Sequence, residues 1–253
     1  MSAAAFFDVD NTLVRGASLY YFGKGLAARG LVTQRDLLQF GWDQLVFRLS
    51  GKEDLKTALS VREKALGLVA GLPATELVAH AEHVYDDVLQ HRIWAGTRAL
   101  AERHLAAGDP VVLVTATPVE LATVIADRLG LTGALGTVSE VVAGRYTGRL
   151  VGEPLHGPLK ARAVQELAAR RGWDLTACTA YSDSAHDLPL LTAVGRAVAV
   201  NPDRELRAVA VAQGWDVHDW RTARRPLRPL AVAQTRRDLS GRSRLRRRPT
   251  GAA

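Results

Sequence analysis

The sequence predicts an α/β fold, a parallel sheet with crossover helices that is interrupted early by a helical insertion. Short apolar runs recur at 6–9 (FFDV), 110–115 (PVVLVT), 176–181 (TACTAY) and 197–200 (AVAV), and segments of helical periodicity separate them. Alternation of this kind implies parallel strands joined by helices. Polar residues also fall where these strands should end: Asp8, Asp10, Thr115 and Asp183. That is the edge at which open parallel sheets bind ligands. With 253 residues the chain can form one large domain, or a core domain carrying a smaller insert.

The elements follow in order. Phe6, Phe7 and Val9 suggest a buried first strand that ends at Asp8 and Asp10. Apolar residues at helical spacing then mark helices over 18–29, 34–49, 52–69 and 74–90, separated by Gly30, Gly51 and Gly71-Leu72-Pro73. This block reads as a four-helix insertion. A helix over 95–107 ends at Gly108, a strand follows over 110–115, and a helix over 119–129 starts after Pro118, which suits a first-turn position. Residues 138–150 (VSEVVAGRYTGRL) read as a hairpin turning at Ala143-Gly144. Next come a helix over 159–170 ahead of Gly172, a strand over 176–181, a short helix over 188–192, a strand over 197–200 and a last helix over 204–213. No internal repeat is evident.

Composition narrows the setting. One cysteine, Cys178, excludes an intramolecular disulfide and fits a reducing compartment. The N-terminus lacks a basic region ahead of an apolar run, and no apolar stretch is long enough to span a bilayer, so a cytoplasmic location is the expectation. The net charge of +7 is uneven: from Arg221 onward eleven arginines face one acid, Asp238, giving +10 and leaving −3 for the preceding residues. That tail, 221–253, is poor in periodic apolar residues and reads as disordered. It offers weak contact to nucleic acid or an anionic membrane, and a solvated tail without a dedicated partner explains it equally well.

The segment FFDVDNTLV carries the chemistry. Carboxylates two residues apart on a strand point the same way and crowd each other unless a cation or a shared proton relieves them. A hard divalent cation such as Mg2+ suits oxygen ligands, and an aspartate beside it can attack phosphorus. A strand that simply ends in an Asp-Asn turn is the alternative for this segment alone.

Together, Asp8-Val-Asp10-Asn-Thr12, Thr115, Lys160 in Gly157-Pro-Leu-Lys160, and Ser182-Asp183-Ser-Ala-His-Asp187 resemble the haloacid dehalogenase superfamily in order and approximate spacing over residues 6–220. The insertion is similar to the cap of its phosphoserine phosphatase-like branch, subfamily IB. The resemblance implies a Rossmann-like core domain over 1–15 and 92–220, a helical cap over 16–91, required Mg2+, and hydrolysis of a small phosphomonoester through an aspartyl-phosphate, the work of a phosphoric monoester hydrolase. It implies Asp8 as nucleophile and Asp10 as general acid and base, with Asp10 also lending its backbone carbonyl to the metal. Thr12, Thr115, Ala116 and Lys160 would serve the phosphate, Asp183 would complete the metal site, and Asp187 would orient Lys160 or a metal-bound water. Phosphoryl transfer to an acceptor other than water would use the same residues. Oligomeric state is not readable.

Departures bear on the substrate. Phosphoserine phosphatases typically carry a glutamate soon after the first motif, and here the stretch is Val14-Arg15-Gly16-Ala17-Ser18. Lys64 stands near the cap position where they use an arginine, and the two are not equivalent at a carboxylate site. Thr115-Ala116-Thr117 replaces the usual Ser-Gly-Gly, and His186 an asparagine. A different phosphomonoester is therefore expected. Ser18, Tyr21 and Arg48 are candidates to face it. His80, His83 and Asp87 read as a solvated helix face, Cys178 as a buried strand residue, and Asp216, His218 and Asp219 as surface.

Overall fold

The computed structural model describes residues 2–30, 67 and 69–221. The helix expected over 34–49, that over 52–69 except positions 67 and 69, residues Trp42, Phe47, Arg48 and Lys64, and the tail beyond Arg221 lie outside them. Among the described residues no helix is long and apolar enough to cross a membrane.

Six strands form one sheet in the order β3-β2-β1-β6-β7-β8, comprising β1 (Ala5–Phe7), β2 (Val111–Pro118), β3 (Gly133–Thr137), β6 (Thr179–Ser182), β7 (Arg196–Val200) and β8 (Asp216–His218). Every neighbouring pair is parallel. Side chains alternate cleanly between the two faces. Ala5, Phe7, Val111, Leu113, Tyr181, Val198 and Val200 enter one buried cluster, and Ala4, Phe6, Val112, Val114, Ala180, Ala197 and Ala199 the other. That period of two, apolar on both sides, is what a strand covered on both faces requires.

Helices α1 (Ser18–Ala28), α2 (Ala74–Asp87), α3 (Ala95–Ala107) and α4 (Val119–Arg128) cover the first face. Helices α5 (Pro158–Arg171), α6 (Leu188–Thr192) and α7 (Arg204–Gln213) cover the second. Phe22 and Leu26 of α1 and Leu77, Ala81, Val84 and Tyr85 of α2 share the cluster of Phe7, Leu113 and Ile125. The described part of the insertion is thus packed into the same apolar layer as the sheet. A separate hairpin, β4 (Ser139–Val142) and β5 (Arg145–Leu150), turns at Ala143 (φ 48) and Gly144 (φ 76). Two consecutive positive φ values make the turn that a right-twisted hairpin favours.

Several expectations are corrected. Residues 175–177 form one turn of 3-10 helix, so the strand expected over 176–181 begins only at Thr179, and Cys178 is buried just ahead of it. Pro118 closes β2 and precedes the first turn of α4 instead of standing inside it. Asp216 is on the surface as expected, but it and His218 lie in an edge strand that the sequence did not suggest, where Asp216 accepts from Arg196 at 2.6 Å. His80 is buried: its Nε2 lies 3.0 Å from the Phe22 carbonyl and its ring 4.9 Å from the Phe22 ring. Desolvation pulls its pKa below the ordinary histidine value, so it ties α2 to α1 as a neutral group and is not part of a solvated face.

Strand β3 was not anticipated, and Gly136 gives the reason. A Cβ there would stand 2.7 Å from the Val119 Cα and 2.8 Å from the Thr117 carbonyl, so the β2–α4 junction leaves room only for glycine, a residue that weakens the strand signal. Replacing Gly136 by Ala should cost about 1–3 kcal/mol, as overpacking against backbone does. Gly133→Ala in the same strand meets nothing within 4 Å among the described residues and should be nearly neutral. Thermal denaturation of the two variants checks this, and equal stabilities would contradict the close approach.

Candidate active site

Strand β1 has β2 on one side and β6 on the other, so the chain changes direction across the sheet at β1. Loops diverge there, and the carboxyl ends of β1, β2 and β6 open a crevice. Asp8 follows β1 directly and its N–H donates to the Tyr181 carbonyl at 2.9 Å. Asn11 turns the next loop with φ 59, a conformation asparagine tolerates. The Leu13 and Val14 amides fold back onto the Val9 carbonyl.

Lys160 sits in the first turn of α5, entered through Gly157 (φ 55) and Pro158. A cation at a helix N-terminus opposes the helix dipole, and burial to 4% exposure adds desolvation. Two carboxylates offset both costs: its Nζ donates to Asp8 Oδ1 at 2.6 Å and to Asp187 Oδ2 at 2.8 Å. Ser182 Oγ donates to the same Asp187 oxygen at 2.7 Å, so Asp187 is held between Ser182 and Lys160. Burial lowers the Lys160 pKa, but Asp8 and Asp187 more than reverse this and leave it above the ordinary lysine value.

On the far side of Asp8, Thr12 Oγ1 donates to Asp8 Oδ2 at 3.1 Å and lies 3.4 Å from Asp183 Oδ1. Burial pushes the Asp183 carboxyl up, and Asp8 and Asp187 push it further. Burial likewise raises Asp8, against the pull of Lys160. Lys160 thus bonds Asp8 and Asp187 directly, and Asp183 joins the group through Thr12, so three carboxylates share one ammonium and two negative charges are uncompensated when all are ionised. A divalent cation would balance that deficit. Among the described residues no three His, Cys, Asp or Glu side chains gather into a ready metal cluster. Mg2+ does not need three: it keeps several waters and is commonly held by one or two carboxylates. The oxygen-only donors Asp8 and Asp183 fit it.

Asp10 is near enough for its charge to raise both Asp8 and Asp183, but its side chain is held by other partners. Its Oδ1 accepts from the Ser18 amide at 2.8 Å and from the Ser18 hydroxyl at 2.5 Å. Ser18 is fully buried and faces Asp10 and Thr117, not open space, while Tyr21 lies under Arg92 with the guanidinium 4.3 Å from its ring. Thr115 is buried at the sheet edge with its hydroxyl engaged by Thr117 at 3.1 Å. Ala116 is exposed, and its carbonyl accepts from Thr137. His186 and His156 are both exposed, with rings 5.1 Å apart.

The braces of the loop were not legible in sequence. Thr97 Oγ1 donates to the Thr12 carbonyl at 2.8 Å, and Trp220 Nε1 donates to Thr97. Asn201 Nδ2 donates to the Asn11 carbonyl at 2.7 Å, and the Trp220 amide to Asn201 Oδ1. These residues lie far from the motifs and only the fold brings them to the loop.

Removing the ammonium gives a prediction with a pH sign. In Lys160→Met, Asp8 and Asp187 lose their counter-charge, which at neutral pH should cost about 3–5 kcal/mol, as breaking a buried pair does. Asp8, already raised by burial, would lose the pull of Lys160 and stand further above the unfolded carboxyl value of about 4, so the folded state binds more protons and stability falls as pH rises. Urea denaturation should therefore show a smaller deficit against the parent at about pH 5 than at about pH 8. A deficit independent of pH would contradict the charge account.

Comparison with known proteins agrees with this architecture. The family model for haloacid dehalogenase-like hydrolases matches residues 5–192. Phosphoserine phosphatase SerB1 of Mycobacterium tuberculosis (strain ATCC 25618 / H37Rv) is 55% identical over 236 residues, spanning 92% of this chain and 77% of that protein. A solved structure of a protein with unknown function from Bordetella pertussis Tohama I is similar with a TM-score of 0.75 at 33% identity, covering 87% of this chain and 99% of that one. A phosphoserine phosphatase solved as an analogue of its phospho-aspartyl intermediate shares the fold, with a TM-score of 0.59 at 18% identity over 86% of this chain and 93% of that one. Matched from its first strand through α6, and identical at over half of the aligned positions to a relative that spans nearly its whole length, the chain belongs to the haloacid dehalogenase-like hydrolases.

Proposed function

We propose that this protein is a Mg2+-dependent phosphatase that hydrolyses a small phosphomonoester through a phosphoryl group carried on Asp8. The observation that supports it best is the setting of Asp8, buried at the switch point between Lys160 on one oxygen and Thr12 on the other. A nucleophilic carboxylate needs such fixing, because an attack geometry held in advance removes much of the entropic barrier. Asp8 attacks phosphorus, the bond to the leaving oxygen breaks, and Asp10 supplies that oxygen with a proton. Water then attacks the Asp8-bound phosphorus, Asp10 takes the proton from it, and the Asp8 carboxylate is released. Lys160 offsets charge on the nucleophile and the transferring group, and Thr115 with the Ala116 segment serves the phosphoryl oxygens. Asp8, Asp183 and the backbone carbonyl of Asp10 would hold the Mg2+, which when bound shields the phosphate's charge from the attacking carboxylate.

Substrate identity turns on the cap. The relative named phosphoserine phosphatase makes O-phosphoserine the first compound to test, while the stretch after the first motif holds Arg15 instead of an acid. Arg15 donates to the His91 carbonyl at 2.7 Å and its guanidinium lies 5.4 Å from the Trp94 ring centre, so this side chain is engaged with the region joining the insertion to the core.

Phosphate release from p-nitrophenyl phosphate and from a panel of phosphometabolites led by O-phosphoserine, with and without Mg2+, is the test. Activity should require Mg2+, and Asp8→Asn should lose at least about a thousandfold, in keeping with loss of a covalent nucleophile. Phosphate appearing only with an added acceptor would point to transfer, and an inactive parent across the panel would overturn the reading. Binding has its own readout: Mg2+ should raise the melting temperature more at about pH 8 than at about pH 5, because protons compete at the raised Asp8 and Asp183 carboxyls. Asp183→Asn should abolish most of that shift.

A further inference from the structure

Asp10, Ser18, Thr117 and Thr115 form a continuous buried line of hydrogen bonds whose direction is fixed. An ionised carboxylate only accepts, so Ser18 must spend its one hydroxyl proton on Asp10 Oδ1, at 2.5 Å. The 2.8 Å contact between Ser18 Oγ and Thr117 Oγ1 then requires Thr117 to donate. Thr117 has no second hydroxyl proton, so the 3.1 Å contact to Thr115 has Thr115 as donor. The Thr117 amide donates back to Thr115 Oγ1 at 3.1 Å and closes the turn. Ser18 is 0% exposed and Thr115 and Thr117 are each 2% exposed, so water does not compete along the line.

Ser18 is also the first residue of α1, whose preceding residue, Ala17, supplies no side-chain cap. Asp10 fills that role from eight residues upstream by accepting the Ser18 amide at 2.8 Å. One carboxylate oxygen thereby takes two donors from a single residue at the start of the insertion. Resting on the phosphatase reading above, we propose that Ser18 and Thr117 are positioning residues for Asp10. They hold Oδ1 through a polarised hydroxyl line and so fix how Asp10 is presented for the proton transfers of the two half-reactions. The two donors fix the rotation of the carboxyl about its last bond. The line starts at Thr115, whose hydroxyl proton is given to Thr117.

Leaving-group dependence tests this. A nitrophenolate departs without a proton, whereas an alkoxide needs one, so a misplaced Asp10 slows the first half-reaction only for alkyl phosphates. Rapid-quench first-turnover rates would be measured on p-nitrophenyl phosphate and on an alkyl phosphomonoester that the parent hydrolyses. In Ser18→Ala the alkyl rate should fall about 10- to 100-fold and the aryl rate no more than about threefold, with KM for both changed less than about twofold, a loss within the range of general acid catalysis. Thr117→Val should shift the same ratio in the same direction by a smaller factor, and Ser18→Thr, which keeps the hydroxyl, should restore most of the alkyl rate. Equal losses on both substrates, unchanged ratios, or a Ser18→Thr variant as impaired as Ser18→Ala would overturn the proposal. If Ser18→Ala fails to fold, Thr117→Val decides by the same ratio, since it leaves both Ser18 contacts to Asp10 in place. A parent inactive on both substrates would instead strike the phosphatase reading itself.

Discussion

Burying the Lys160 ammonium between Asp8 and Asp187, with Asp183 joined to Asp8 through Thr12, is the constraint on which the site depends. Asp8 and Asp187 come from distant points of the chain, and neither would be tolerable beside the other without the ammonium. The sheet makes the arrangement possible, because β1 lies between β2 and β6 and its end opens onto the crevice. Lys160 reaches the crevice from the first turn of α5, against the helix dipole, and two carboxylates hold it there. Interaction energy is concentrated in a few short contacts, while the apolar layers on both faces supply the rigidity that keeps those contacts in register.

The polar residues divide into two groups with separate tasks. Asp8, Thr12, Lys160, Ser182, Asp183 and Asp187 form a charged group suited to an attacking carboxylate and a cation. Asp10, Ser18, Thr117 and Thr115 form a second line built from hydroxyls and one carboxylate. Two aspartates only two residues apart thus take different partners, Asp8 between Lys160 and Thr12 and Asp10 at Ser18. Different environments are what allow two chemically identical side chains to take different roles in acid–base chemistry.

Much of this was legible in sequence because it is local. β1, β2, β7 and most helices carry their periodicity within a short window, and helices α3 and α5 announce their ends with Gly108 and Gly172, both at positive φ. Asp8, Lys160, Asp183 and Asp187 could be nominated from motif order, and the fold joins all four. The misses are of another kind. β3 and β8 are short edge strands, one carrying a glycine imposed by a backbone neighbour and the other an ion pair, so neither shows an apolar alternation. His80 looked solvated because helix periodicity says nothing about the carbonyl of Phe22 on another helix. Asn201, Thr97 and Trp220 brace the loop from positions far along the chain, and no spacing rule links them to Asn11 or Thr12.

The central claim is that the Asp8 carboxylate becomes phosphorylated. Mixing enzyme with substrate, quenching in acid within the first turnover and locating the phosphoryl group by peptide mass spectrometry measures this directly. The account predicts a phosphoryl group on Asp8, absent from the Asp8→Asn variant. Turnover without any phosphorylated peptide, or a phosphoryl group on another residue, would contradict it.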